Sequence, residues 1–121
     1  MYDAIVLPGG LLGSLTMSKN QMLLSMLAEQ MKEERLVGAI CAAPVYILAN
    51  NDLMKNVDRA VCHPTVLSKI NDDVIRDKFI SEPTESEQVI YSNNCLTSMG
   101  PGTTIPFSLR LVELLYSKKK A

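Results

Sequence analysis

Leu36-Val37-Gly38-Ala39-Ile40-Cys41-Ala42-Ala43-Pro44 is an apolar run of strand length that ends in a cysteine, two small residues and a proline. A second apolar run, Val45-Tyr46-Ile47-Leu48-Ala49, follows at once. The pattern reads as a buried strand, a sharp turn and a helix start. Pro44 suits the first helical position, where no N–H needs an intrahelical partner. Cys41 then sits near a helix N-terminus, where unpaired N–H groups and the helix dipole favour a thiolate. Ala42 and Ala43 leave room for a substrate to approach. The same nine residues also fit an inert core thiol, since free cysteine is among the most buried residue types. The rest of the chain has to separate the two.

Upstream, Tyr2-Asp3-Ala4-Ile5-Val6-Leu7 is a nearly continuous apolar run, as expected of a parallel strand covered on both faces. Pro8-Gly9-Gly10 ends it, and paired glycines there let backbone N–H groups point into a site. Ser18 and Gln21 form a capping-box pattern. Leu24, Leu27, Ala28 and Met31 then repeat at helical spacing up to about Arg35, with the methionines at 22, 26 and 31 read as core filler. Strand, helix, strand is a βαβ crossover, expected to be right-handed.

Downstream, the helix that starts at Pro44 should run to about Asn50, where Asn50, Asn51 and Asp52 are stop signals. Arg59-Ala60-Val61-Cys62 reads as a third short strand, ended by His63-Pro64. Thr65 to Asn71 reads as a short helix, and Asp72 to Phe79 is ambiguous. Gln88 to Tyr91 and Cys95 to Ser98 flank Ser92-Asn93-Asn94 as a β-hairpin. Met99 to Thr103 reads as an irregular loop, and Thr104 as the cap of a last helix with Phe107, Leu111, Leu114 and Leu115 on its inner face.

The 121 residues suit one domain. Hydrophobic residues make up 47% and charged residues 21%, which permits a packed core and argues against disorder. A net charge of −1 gives no drive toward nucleic acid or a membrane surface, and no stretch reaches the roughly 18 to 20 apolar residues of a membrane span. Lys118-Lys119-Lys120 reads as a solvated helix end. Three cysteines without paired spacing point to reduced thiols and a cytoplasmic setting rather than a disulfide framework.

Gly9-Gly10, Cys41 and His63, the only histidine, all fall at the carboxyl ends of expected parallel strands, where open α/β sheets bind ligands. Together they outline nucleophilic catalysis: a thiolate attacks a carbonyl, backbone N–H groups hold the oxyanion, and an imidazole moves a proton. A zinc site is the rival use of Cys and His, but no CxxC or HxxxH spacing is present and the donors are too few, so no metal is expected.

The segments Tyr2 to Gly10, Ala39-Ile40-Cys41-Ala42-Ala43-Pro44, His63-Pro64 and Thr97 to Thr103 resemble the ThiJ/PfpI superfamily. Within it they are most similar to the parkinsonism-associated deglycase and glutathione-independent glyoxalase subgroup. The resemblance implies a flavodoxin-like three-layer α/β sandwich with a mostly parallel sheet plus a β-hairpin, here a C-terminal portion of that fold. It implies a homodimer, Cys41 as the nucleophilic and oxidation-prone residue, and His63 as its neighbour. The N–H groups of Gly10 and Ala42 would form the oxyanion hole, with Gly9 and the loop Gly100-Pro101-Gly102 in support. It implies cofactor-free conversion of small α-oxoaldehydes or glycation adducts. Redox sensing with chaperoning, and thiamine-pathway or peptidase-like roles, are the alternatives.

The family also has an N-terminal strand-helix-strand region that carries a glutamate hydrogen-bonded to the cysteine. No acidic residue here occupies the equivalent motif, and Met99 stands where relatives often have arginine. A buried strand that begins at residue 2 needs neighbours on both edges. The expectation is therefore a partner segment of about 65 residues, a figure set by ordinary α/β domain size, on the same polypeptide or another chain.

Overall fold

A computed structural model describes residues 2–120, with side chains described to residue 117; the expectation for the Lys118–Lys120 side chains lies outside it. The sheet has four strands in the order β1 (Ala4–Leu7), β2 (Leu36–Ile40), β4 (Cys95–Ser98), β3 (Val89–Ser92). β1 and β4 both run parallel to β2, with Ala4 opposite Leu36 and Val37 opposite Cys95. β3 returns antiparallel to β4. The turn between them holds Asn93 and Asn94 at φ 47° and 68°, the left-handed pair that matches the twist of a hairpin.

The period-two alternation of the strands sorts the core into two layers. Val37 and Ala39 face a large cluster with Leu7, Leu27, Ile47 and Leu48, built under α1 (Leu11–Met17), α2 (Gln21–Lys32) and the segment after Cys41. Leu36 and Leu96 face the other side, where Phe107, Leu111, Leu114 and Leu115 of α4 (Thr104–Lys120) cover them. This is the expected three-layer α/β sandwich. Among the described residues β1 is an edge strand that pairs only with β2, and Tyr2 (57%) and Val6 (41%) are exposed along it.

Several local expectations are corrected. Arg59 to Cys62 is not a strand: both edges of β2 are already taken by β1 and β4. The segment makes one isolated bridge, Ala60 to Phe79. The Val61 N–H donates instead to the Thr97 hydroxyl (3.0 Å). Ser18 does not open a helix; it closes α1, an element the glycine at position 13 obscured in the sequence. Asn20 caps α2, its Oδ1 accepting from the Leu23 N–H (3.0 Å). Met22 is exposed rather than core filler. In its stead Gln30 is buried on α2. Its Oε1 accepts the Tyr2 N–H (3.1 Å) and its Nε2 donates to the Leu36 carbonyl (3.3 Å), which ties the starts of β1 and β2 together.

The helix from Pro44 is continuous but irregular: a π-helical turn (Pro44–Leu48), then a 3-10 turn (Ala49–Asn51). Asn51 closes it by donating to the Tyr46 and Ile47 carbonyls (3.2 and 3.0 Å). Pro64–Lys69 is a 3-10 helix, and α3 (Asp73–Arg76) resolves the ambiguous stretch. Pro101–Thr103 is a 3-10 turn rather than irregular loop. Thr104 lies inside α4, its hydroxyl donating to the Pro101 carbonyl (2.9 Å).

Candidate active site

Cys41 occupies the residue after β2, where the chain must leave the sheet and start a helix. It does so at φ 67°, a left-handed conformation that costs a non-glycine residue roughly 1–2 kcal/mol. Two backbone bonds hold it there: its N–H donates to the carbonyl of Ser98 at the end of β4 (3.0 Å), and its carbonyl accepts the His63 N–H (2.9 Å). Strain sustained by its surroundings is a mark of functional turns. The side chain is partly buried.

The loop after β1 comes directly against it. A Cβ on Gly9 would lie 2.7 Å from the Cys41 Cβ and 3.5 Å from its Sγ, so only glycine permits this approach. Gly10 follows at φ 97°, which turns the chain into α1. Gly9, Gly10 and Cys41 share a cavity of about 450 Å³ with Val6, Pro101 and Phe107. Ala42 is buried behind the cysteine.

His63 reaches the site from a loop, not from a strand end. Its Nδ1 accepts the Thr65 N–H (3.2 Å) and lies 2.7 Å from the Thr65 hydroxyl. With Nδ1 as acceptor, the proton of a neutral ring sits on Nε2. Gly100 stands against the ring: a Cβ there would come 3.3 Å from His63 Cδ2. His63, Gly100, Pro101 and Gly102 line a second cavity of about 270 Å³, and Pro101 is common to both. The expected residues thus gather at one end of the sheet, but Cys41 and His63 open onto adjoining hollows joined through their backbones.

Sequence reasoning did not single out Ser98, Thr103 or Thr65 by role. The buried Thr103 hydroxyl donates to the Gly100 carbonyl (2.9 Å) and accepts the Gly100 N–H (3.2 Å), which fixes the glycine loop. The His-Pro-Thr order was the available signal for Thr65, because a threonine two residues on can satisfy a turn. The other two thiols are buried. Burial pushes Cys95 up to about 12 from 9.0. Burial, and then the neighbouring Cys41 charge, push Cys62 up to about 12 as well. Among the described residues no group of three or more His, Cys, Asp or Glu side chains could hold a metal ion, and no helix is long and apolar enough to cross a membrane.

Comparison with known proteins adds to this geometry. The model of the DJ-1/PfpI family matches residues 1–114. The chain is 36% identical over 120 residues to protein DJ-1 homolog A of Arabidopsis thaliana, covering 99% of this chain and 28% of that protein. It is 33% identical over 119 residues to the glutathione-independent glyoxalase DJR-1.2 of Caenorhabditis elegans, covering 98% and 58%. Among solved structures, Toxoplasma gondii DJ-1, oxidized, superposes with a TM-score of 0.82 at 32% identity, covering 98% of this chain and 59% of that one. The chain therefore spans between about a quarter and three fifths of the length of these relatives.

Proposed function

The chain belongs to the DJ-1/PfpI family, and on that footing we propose that it is the cysteine-bearing part of a cofactor-free enzyme acting on small α-oxoaldehydes or glycation adducts. The observation that carries the proposal is Cys41 itself: a partly exposed thiol on a left-handed turn, pressed by Gly9 and open to a cavity. That volume suits a small carbonyl compound.

The deprotonated Cys41 sulfur adds to the aldehyde carbon, and the carbonyl π pair moves to oxygen, giving a hemithioacetal. The Gly10 and Ala42 N–H groups are the proposed partners of that oxygen. The proton on the former aldehyde carbon then moves to the adjacent carbon through an enediol, leaving a 2-hydroxy thioester. Water hydrolyses the thioester to the hydroxy acid and restores the thiol. His63 is the proposed proton carrier, with its Nδ1 held by Thr65. The glyoxalase name of the nematode relative supports this substrate class.

We assign the completing N-terminal segment, and with it an acidic partner for Cys41, to a strand that pairs along the open edge of β1. The exposed Tyr2 and Val6 support this, as does the greater length of the relatives. A homodimer in the cytoplasm is part of the same proposal. A redox-sensing role is the second reading, favoured by a single partly exposed thiol among three and by an oxidized state recorded for the Toxoplasma relative. The test is conversion of methylglyoxal to lactate by the chain with its completing segment. Cys41→Ala should abolish it, and unchanged turnover in that variant would refute the proposal.

A further inference from the structure

Cys62 takes no part in the chemistry proposed above, yet it stands beside the reactive thiol. It immediately precedes His63, whose N–H donates to the Cys41 carbonyl (2.9 Å). Two backbones joined by such a bond bring facing Cα atoms to roughly 5 Å, inside the range of about 4.4–6.8 Å that a disulfide bridges. The two side chains are also close enough for the charge of one to act on the other. Cys95 lies elsewhere: it opens β4 opposite Val37, so the remaining length of β2 separates it from Cys41. Exposure differs in the required sense, with Cys41 partly open to solvent and Cys62 only 6% exposed.

We propose that Cys62 is a resolving thiol that captures oxidised Cys41 as an intramolecular disulfide. The oxidant is a peroxide. The Cys41 thiolate takes one oxygen from hydrogen peroxide and releases hydroxide, becoming a sulfenic acid. The Cys62 sulfur then attacks the Cys41 sulfur. The S–OH bond breaks, and the Cys62 proton leaves with the hydroxyl group as water. Sulfenylation removes the Cys41 negative charge, one of the two influences that hold the Cys62 proton in place. An external thiol reopens the bridge by exchange and restores both cysteines. The pair would spare Cys41 from irreversible oxidation to sulfinic acid.

The inference rests on the reactivity of Cys41, and one experiment separates the two failures. The full chain is treated with a several-fold molar excess of hydrogen peroxide, enough for the two successive oxygen transfers that sulfinic acid requires, and its peptides are analysed by mass spectrometry with and without a thiol reductant. The expected product is a Cys41–Cys62 linkage that has lost two hydrogens and disappears on reduction. Cys62→Ser and Cys62→Ala should each convert it into Cys41 sulfinic acid, raising that product several-fold, whereas Cys95→Ser should leave the linkage unchanged. Sulfinic acid at Cys41 in the unsubstituted chain, formed as fast as in the Cys62 variants, would overturn the resolving role while leaving Cys41 reactive. No modification of Cys41 at all would overturn both.

Discussion

Gly9 and Cys41 are packed so closely that a methyl group on the glycine would lie 2.7 Å from the cysteine Cβ and 3.3 Å from the Ile40 carbonyl oxygen. Backbone crowds the position from one side and the cysteine side chain from the other, so nothing can yield cheaply. Gly9→Ala should destabilise the fold by about 1–3 kcal/mol through overpacking and displace the thiol. Denaturant melts and the rate of iodoacetamide alkylation at Cys41 should both report it. An alanine variant with wild-type stability and alkylation rate would contradict the packing described.

The backbone of Cys41 supplies a second prediction. At φ 67° any residue with a Cβ carries the left-handed penalty and glycine does not. Cys41→Gly should therefore fold more stably than Cys41→Ala by about 1 kcal/mol, although both lack the sulfur and both should be inactive. Paired urea denaturation curves measure the difference.

Buried thiols make the stability depend on alkaline pH. Cys62 and Cys95 are both pushed up to about 12 from 9.0, so the unfolded chain releases these protons at lower pH than the folded one. Their contribution is fully present below pH 9.0 and is lost as pH rises from there toward about 12. The slope is at most about 1.4 kcal/mol per pH unit for each thiol. Urea midpoints of the wild type and of Cys95→Ala, compared across that range, should converge as pH rises.

His63 should respond to Thr65. Loss of the Thr65 hydroxyl, 2.7 Å from Nδ1, removes one hydrogen bond and loosens the ring. Thr65→Val should lower the proposed methylglyoxal turnover by about twofold to tenfold, the range of one ordinary hydrogen bond, and Thr65→Ser should restore it. Nitrogen NMR of the imidazole should show the proton on Nε2 in both proteins, because the backbone N–H of residue 65 still donates to Nδ1 in the valine variant.

Much of this site was legible in the sequence because its signals are local. A strand-length apolar run followed by a proline fixed where β2 ends, and Cys41 falls on that boundary. Pro8-Gly9-Gly10 marked the end of β1 in the same way, and the two asparagines marked the hairpin. The third strand was misread because Arg59 to Cys62 has strand composition, and composition carries no information on whether a sheet edge is vacant. Ser18 was misread because either end of a helix can use a serine; Asn20, two residues later, has the better geometry. Gln30 was overlooked because a buried amide is tolerated only when distant groups, here the Tyr2 N–H and the Leu36 carbonyl, satisfy it.

The sequence by itself determined which residues are chemically able and where the backbone must bend, since propensity, turn residues and apolar spacing act over a few positions. Only the tertiary structure decided the company each residue keeps. Ser98 and His63 reach Cys41 through hydrogen bonds that span dozens of residues, and Cys62 gains its place beside Cys41 from that same contact. Such neighbours follow from which strands fill the edges of β2, a contest settled by the burial of the whole chain at once and written in no single segment of it.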